Sequence, residues 1–142
     1  MVVILGIERH GRYANQANWF CGGHKKKDGH DPRMTALREI KEEAGYIMAN
    51  SFMYKWNSLK HIMVKRTHLY AFRVIKNFSR SKHFVPNKEM SRAVAIPITN
   101  LLIKDNGGPA IVRDVDGKLI MVSSFVVNVM SKYGISLLQN FT

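Results

Sequence analysis

The apolar and polar positions along the chain predict a mixed order of strands and helices. β-Branched or alternating apolar runs, bounded by glycine, proline or polar clusters, are typical of strands. Such runs predict strands over 2–8, 18–21, 49–56, 61–75 and 93–98, the fourth being long enough to bend or be interrupted. Apolar positions near helical spacing over 123–138 predict a closing amphipathic helix. This order favours an α/β fold with a mixed sheet flanked by helices.

Clusters of glycine, proline and polar residues predict the connections between these elements. Loops are expected over 22–29, 57–58 and 77–87, and turns over 104–109 and 114–117. The last turn lies between two apolar runs, so it predicts a hairpin.

One helix has clear signals at both ends. Asp31 offers a side-chain oxygen at the N-cap, and Pro32 suits the first helical position because that position needs no N–H. Gly45 supplies the matching stop. A helix is therefore expected between Asp31 and Gly45.

Length and composition indicate one folded domain over residues 1–142. The hydrophobic fraction of 46% and charged fraction of 23% argue against a disordered or fibrous chain. The apolar run over 2–7 is too short to span a membrane and lacks the features of a signal peptide. Cys21, the single cysteine, excludes an intramolecular disulfide. We expect a cytoplasmic or other intracellular protein without a membrane partner, and the sequence leaves monomer and homodimer open.

Charge is distributed unevenly along the chain. Lys and Arg number 22 against 10 Asp and Glu, a net charge of +12. Residues 44–88, called here the acid-free segment, contain no Asp or Glu, while cations and aromatic residues alternate through them. Cations bind phosphates and aromatic faces stack bases, so this mixture suits nucleotides or single-stranded nucleic acid. The aromatic side chains also alternate with polar residues, which fits positions in a core.

Three acidic residues fall within the predicted helix. At about 100° per residue, Glu39, Glu42 and Glu43 share one face, opposite an apolar stripe. Glu39 and Glu43 stand four residues apart, and such a like-charge pair costs about 0.2 to 0.5 kcal/mol. One interpretation is a solvated face with an Arg38 to Glu42 ion pair. The other is a site for Mg²⁺ or Mn²⁺, because these ions prefer oxygen ligands.

The residues in and before this helix resemble the Nudix box, whose pattern is G-x5-E-x7-R-E-U-x-E-E-x-G-U with U apolar. Residues 38–46, Arg-Glu-Ile-Lys-Glu-Glu-Ala-Gly-Tyr, are similar to its second half in full register, and 22–23 resemble the glycine pair that opens it. The chain departs from the pattern at His30, which stands where the box has its first Glu. The loop from Gly23 to His30 is also one residue longer than the pattern.

The resemblance implies a Nudix-like α/β/α sandwich and a divalent-metal-dependent hydrolase that cleaves a phosphoanhydride of a nucleoside diphosphate derivative. By matching positions, Glu42 and Glu43 would be ligands of Mg²⁺ or Mn²⁺, and Glu39 a ligand or the residue that positions the attacking water. Arg38 would orient a carboxylate, and the carbonyl of Gly23 would add a ligand. Glu89 stands where many relatives keep a carboxylate that acts as base or extra ligand; a lone loop glutamate is the alternative.

The substrate stays open between two classes. A capped or 5′-phosphorylated RNA end, as in mRNA decapping, would use the net charge of +12 along a polymer. A nucleoside triphosphate, dinucleoside polyphosphate or ADP-ribose would need the charge only for steering. A third hypothesis, motivated by His30, is an RNA-binding Nudix-fold module without catalysis. The candidate substrate-binding residues are Trp19, Phe20, Lys25, Lys26, Lys27 and His30, with Trp56 and Phe84 as further candidates for stacking a base.

Overall fold

The computed structural model describes residues 1–141, which form a mixed α/β fold. Its strands are β1 (Val2–Glu8), β2 (Ala17–Asn18), β3 (Lys60–Val64), β4 (Thr67–Ala71), β5 (Met90–Pro97), β6 (Ala110–Arg113) and β7 (Leu119–Val122). Its α-helices are α1 (Pro32–Glu43), α2 (Tyr46–Tyr54), α3 (Arg80–His83) and α4 (Ser124–Phe141). The chain divides into two compact units, one of them Phe20–Arg92 and the other made of the segments before and after it. The single domain expected from chain length stays a prediction.

The unit formed by both ends of the chain holds a mixed sheet of order β5-β1-β2-β7-β6. β2 pairs antiparallel with β1 and parallel with β7, and β6 pairs antiparallel with β7. The sheet core includes Leu5, Val94 and Val122, and α4 contributes Val126 and Met130 to it. The predicted mixed sheet, the strand over 2–8, the turn over 114–117 and the closing helix are confirmed.

A buried polar contact fixes the start of α4 on this sheet. Ser123 is fully buried, and its hydroxyl donates to Oδ1 of Asn18 at 2.8 Å while it accepts from the N–H of Val126 at 3.1 Å. The hydroxyl therefore satisfies one of the free N–H groups in the first turn of the helix and one buried amide oxygen.

The middle unit packs α1, α2 and the β3–β4 hairpin around Phe52, which is fully buried. The rings of Trp56, Tyr70 and Phe72 meet the ring of Phe52 edge-on, with centroids 5.4 to 6.1 Å away. Edge-to-face contacts of this kind add to the stabilisation from buried apolar area. This aromatic cluster joins α2 to the hairpin, and both α2 and β4 of the hairpin contact α1.

The sequence prediction was wrong in part of this unit. Residues 49–56 do not form a strand, because α2 covers Tyr46–Tyr54 and buries Met48, Ala49 and Phe52 at helical spacing. In the other unit, the strand expected over 18–21 is only Ala17–Asn18. The long run over 61–75 is interrupted at Lys65 by a hairpin turn, and an interruption there was one of the expected outcomes. The expected loop over 77–87 contains the single turn of α3.

Candidate metal centre on the first helix

Helix α1 forms where its end signals predicted it. Oδ1 of Asp31 accepts the N–H of Arg33 at 2.9 Å, and Pro32 is the first helical residue. At the other end Gly45 has φ +97°, a left-handed value that favours glycine, and its N–H donates to the carbonyl of Ile40 at 3.0 Å. The helix boundaries therefore come from local chemistry. They determine which residues of α1 face the rest of the middle unit.

The three glutamates of α1 have different surroundings. Glu39 and Glu43 are 8% and 6% exposed, whereas the side chain of Glu42 is 47% exposed. Removing a carboxylate from water is costly unless a cation or hydrogen-bond donors face it. The predicted carboxylate face is therefore present. Two of its glutamates, Glu39 and Glu43, are buried, and Glu42 lies exposed at its edge, called here its rim.

Arg38 is the cation that faces these carboxylates. Its Nη1 donates to Oε1 of Glu39 at 2.8 Å and to Oε2 of Glu42 at 3.3 Å. Its Nη2 donates to the carbonyl oxygen of Gly23 at 2.6 Å. One guanidinium thus links two helix carboxylates to the loop over 22–29, called here the glycine loop.

Asp28 is the second partner of Arg38, and sequence reasoning missed it. Nε of Arg38 donates to Oδ1 of Asp28 at 2.8 Å and Nη2 donates to Oδ2 at 3.0 Å, a two-pronged ion pair. Oδ2 also accepts from the Thr35 hydroxyl at 3.0 Å and from the N–H of Lys25 at 2.9 Å. These donors, Arg38 first among them, hold the pKa of Asp28 well below its usual range. The sequence signal that could have indicated Asp28 is a single acidic residue directly after three lysines and two positions before His30.

Gly22 makes room for the Glu39 carboxylate. A Cβ atom built on Gly22 would overlap the carboxylate carbon and both oxygens of Glu39. Burial raises the pKa of Glu39, and the nearby guanidinium of Arg38 opposes that shift. The carboxylate therefore lies in a cradle that only glycine leaves open.

The glycine loop holds the other predicted contacts of this site. Lys25, Lys26 and Lys27 are exposed, with Lys26–Asp28 forming a short 3-10 turn. His30 is exposed as well, so the carboxylate that meets Arg38 belongs to Asp28 and not to the position of His30. The loop therefore presents a row of cations next to the carboxylate face, as a phosphate-binding loop would.

The loop carrying Glu89 is tied to the end of α1 by Asn87. Nδ2 of Asn87 donates to the carbonyl of Glu43 at 2.8 Å, and its Oδ1 accepts from the N–H groups of Glu89 and Met90, both at 2.9 Å. The Glu89 side chain is exposed. The structure thus brings the Glu89 loop to the carboxylate helix, through a residue that the sequence motif did not single out.

The predicted base-stacking residues have different surroundings, each described within its own unit. Phe84 is buried, with the ring of Phe20 at 6.3 Å. Trp56 carries the guanidinium of Arg33 over its ring at 4.4 Å. Trp19 packs against the sheet core of the other unit. Of these four rings, Phe84 and Trp56 are already engaged inside the protein.

The donor set of this face consists of carboxylate and carbonyl oxygens, which fits Mg²⁺ or Mn²⁺. Across residues 1–141, no group of three or more Asp, Glu, His or Cys side chains is placed so that it could hold a metal ion. Arg38 bonds Glu39 and Glu42 directly. Its contact with the exposed Glu42 is the longer one, at 3.3 Å against 2.8 Å to Glu39.

Comparisons with protein-family models, with curated proteins and with solved structures give no match to this chain. Among the helices that the structure describes, none is long and apolar enough to cross a membrane.

Proposed function

We propose that this chain is a Nudix-type hydrolase with an α/β/α sandwich fold, cleaving a phosphoanhydride of a nucleoside diphosphate derivative with Mg²⁺ or Mn²⁺. The observation that carries the proposal is the carboxylate face of α1, with Glu39 and Glu43 buried, Glu42 at the rim and Arg38 holding the glycine loop beside them. A solvated helix face would not bury two of its three carboxylates.

Each residue of this face has a part in the proposed reaction. Glu39, Glu42 and Glu43 would hold the metal ion, with the Gly23 carbonyl beside them. A bound divalent cation neutralises charge that develops on the phosphate oxygens. Glu39, in its Gly22 cradle, would be either one of these ligands or the residue that orients the attacking water.

The flanking residues would position the groups of the substrate. Arg38 stays protonated and fixes the direction of the Glu39 carboxylate. The exposed lysines Lys25, Lys26 and Lys27 supply cations for the phosphates, with exposed His30 beside them. Asn87 holds the Glu89 loop against α1, where Glu89 is available as base or further ligand.

A capped or 5′-phosphorylated RNA end is the substrate that the charge distribution favours. A nucleotide-sized substrate does not need a net charge of +12, whereas an RNA chain leaving the site would contact the acid-free segment. The small nucleotides named above form the competing substrate class.

A second candidate function is a non-catalytic RNA-binding module. It is favoured by Arg38, which forms ion pairs with two of the three glutamates. Turnover of any nucleotide at millimolar Mg²⁺ would exclude it.

A substrate panel tests the proposal directly. The cleavage products are separated and quantified after incubation with capped RNA, triphosphorylated RNA, nucleoside triphosphates, dinucleoside polyphosphates or ADP-ribose, in Mg²⁺ and in Mn²⁺. E43Q and E42Q should each lower turnover about a hundredfold or more, since metal-ion catalysis supplies several kcal/mol and each 1.36 kcal/mol is tenfold. K41Q, an exposed position on the same helix, is the matched control and should retain parental turnover. A folded E43Q protein with parental activity would exclude α1 as the catalytic centre.

A further inference from the structure

The β3–β4 hairpin presents a set of exposed rings on one of its two faces. The strand register pairs His61 with Tyr70 and Met63 with His68. Because neighbouring residues of a strand point to opposite sides, these four share one face, called here the hairpin face. His61, Met63 and His68 are exposed, and Tyr70 is half-buried.

The two imidazoles of the hairpin face are held in a defined arrangement. Nε2 of His61 and Nδ1 of His68 are hydrogen-bonded at 2.8 Å, and the ring planes differ by only 10° with centroids 5.0 Å apart. A ring N–H donates in the plane of its ring, so this bond aligns the two rings side by side. Their exposed surface is then a flat plate wider than either ring alone.

Tyr70 extends this arrangement across the hairpin. Its ring is nearly parallel to that of His61, at 16° and with centroids 4.9 Å apart, and it also meets the ring of the buried Phe52 in an edge-on contact with centroids 6.1 Å apart. The plate is therefore braced by the aromatic cluster of the middle unit. A rigid aromatic surface loses little conformational freedom when a flat ligand covers it.

Two cations stand at the tip of the same hairpin. Lys65 and Arg66 form the two-residue turn between Val64 and Thr67, and both are exposed. Lys65 has φ +54°, a left-handed value that glycine or asparagine adopts more readily than lysine. The turn therefore keeps a cation where the backbone alone would favour another residue.

We propose that the hairpin face binds unpaired bases of an RNA substrate by stacking, while Lys65 and Arg66 contact its phosphates. The inference rests on the proposed RNA substrate and adds to it a second contact region, apart from the carboxylates of α1. Aromatic faces stack every base, and cations nearby follow the phosphate backbone. Within the acid-free segment no carboxylate repels that backbone. Asp31, whose charge reaches Tyr70, is neutralised by Arg33 at 2.8 Å.

Binding of single-stranded RNA tests the inference without involving catalysis. The probe is a fluorescent RNA of about 12 nucleotides with a 5′-hydroxyl end, and the protein carries E43Q throughout. Adding H61A and H68A together should weaken binding about tenfold or more. Adding H10A, which removes an exposed imidazole elsewhere, should change it less than twofold. A duplex of equal length should bind E43Q more weakly than the single strand, because its bases are already stacked.

Salt dependence separates the roles of the rings and the cations. The slope of log affinity against log salt is negative, and K65N with R66Q should make it shallower by about 1.4. Each lost phosphate contact on a single strand accounts for about 0.7 of that change. K41Q with K118Q removes the same charge at exposed positions outside the hairpin and should leave the slope unchanged. The histidine variant should weaken binding at every salt concentration while keeping the parental slope.

Two results would overturn the inference. One is RNA binding by the H61A and H68A protein, shown to be folded by circular dichroism, that equals binding by the H10A control. The other is a complete lack of RNA binding by E43Q. If the double variant does not fold, H68A alone replaces it. In the parental background the double variant should still hydrolyse the best small nucleotide of the panel, so loss of stacking is distinguished from loss of the proposed activity.

Discussion

Arg38 organises the candidate site because one guanidinium contacts four groups at once. It binds Asp28 and Gly23 of the glycine loop and Glu39 and Glu42 of α1. Arginine suits this position better than lysine, since its planar fork can serve a two-pronged carboxylate and a carbonyl together. The loop and the helix are thus fixed relative to each other by a single side chain that sequence reasoning did identify.

The ion pair of Asp28 predicts a defined dependence of stability on pH. The Asp28 pKa is depressed in the folded protein from its ordinary value of 3.8, so the carboxylate stabilises the fold above about pH 4 and this contribution is lost as pH falls below that value. D28N should therefore destabilise the protein at pH 7, measured by urea unfolding. The difference from the parent should shrink steadily between about pH 4 and pH 2.5. If the difference in stability between D28N and the parent stayed constant over this range, the lowered pKa of Asp28 would be contradicted.

The Gly22 cradle predicts an effect on activity that its neighbour should not share. In G22A the new methyl group would displace the Glu39 carboxylate, and a displacement of about 1 Å in a catalytic group can cost about a hundredfold in rate. G23A is the matched control, because a Cβ atom on Gly23 meets nothing within 4 Å and its carbonyl is retained. Turnover of the best substrate is compared for both. Equal turnover of G22A and G23A would show that the position of Glu39 does not matter.

The residues of the site were predictable where their partners are near in sequence. Glu39, Glu42 and Arg38 lie within two turns of one helix, so helical spacing alone places them together. Asp28 is ten residues from Arg38, and the 3-10 turn at Lys26–Asp28 brings its carboxylate to the helix. The spacing of apolar residues does not predict a turn of this kind. Comparison with the motif therefore singled out His30, which is exposed, and missed Asp28, whose carboxylate is buried.

Among the elements, α1 and α2 show why one helix was predicted and the next was not. α1 has an Asp-Pro start and a glycine end, which are local signals. α2 has an aromatic-rich sequence, Tyr-Ile-Met-Ala-Asn-Ser-Phe-Met-Tyr, that suggests a strand by composition. Its helical state comes from tertiary packing, since burying Phe52 among Trp56, Tyr70 and Phe72 requires Met48 and Ala49 on the same side.

Asn87 links the Glu89 loop to α1, so this link can be tested at that position. N87A should lower the free energy of unfolding by about 1 to 3 kcal/mol, because it leaves several backbone groups without their hydrogen-bond partner. It should also lower turnover if Glu89 takes part in the reaction, and E89Q should then give a comparable loss. N77A, an exposed asparagine in the same unit, is the control and should leave both quantities unchanged. Parental stability in N87A would contradict an anchoring role.

At the scale of the whole molecule, the arrangement of charge follows the division of the chain. The middle unit contains the entire acid-free segment together with six acidic residues. Five of them belong to the glycine loop, α1 and the Glu89 loop, and the sixth, Asp31, caps α1. Its acids are thus concentrated at the candidate site while its cations spread over the rest. The mixed sheet was predictable from apolar runs and turns. The intracellular location, the oligomeric state and the arrangement as one domain stay predictions.

The acid-free segment predicts that the length of the substrate matters. If this segment follows an RNA backbone, capped RNA of ten or more nucleotides should bind more tightly than the cap dinucleotide, and four or five phosphate contacts should give a log–log salt slope of about −3. K76Q with K82Q, at exposed positions outside the hairpin, should make that slope shallower while small-nucleotide hydrolysis stays near the parental rate. K118Q with K132Q, two exposed lysines of the other unit, is the charge-matched control and should keep the slope. Equal affinity for long and short substrates, with a slope no steeper than about −1, would instead favour a small nucleotide as the substrate.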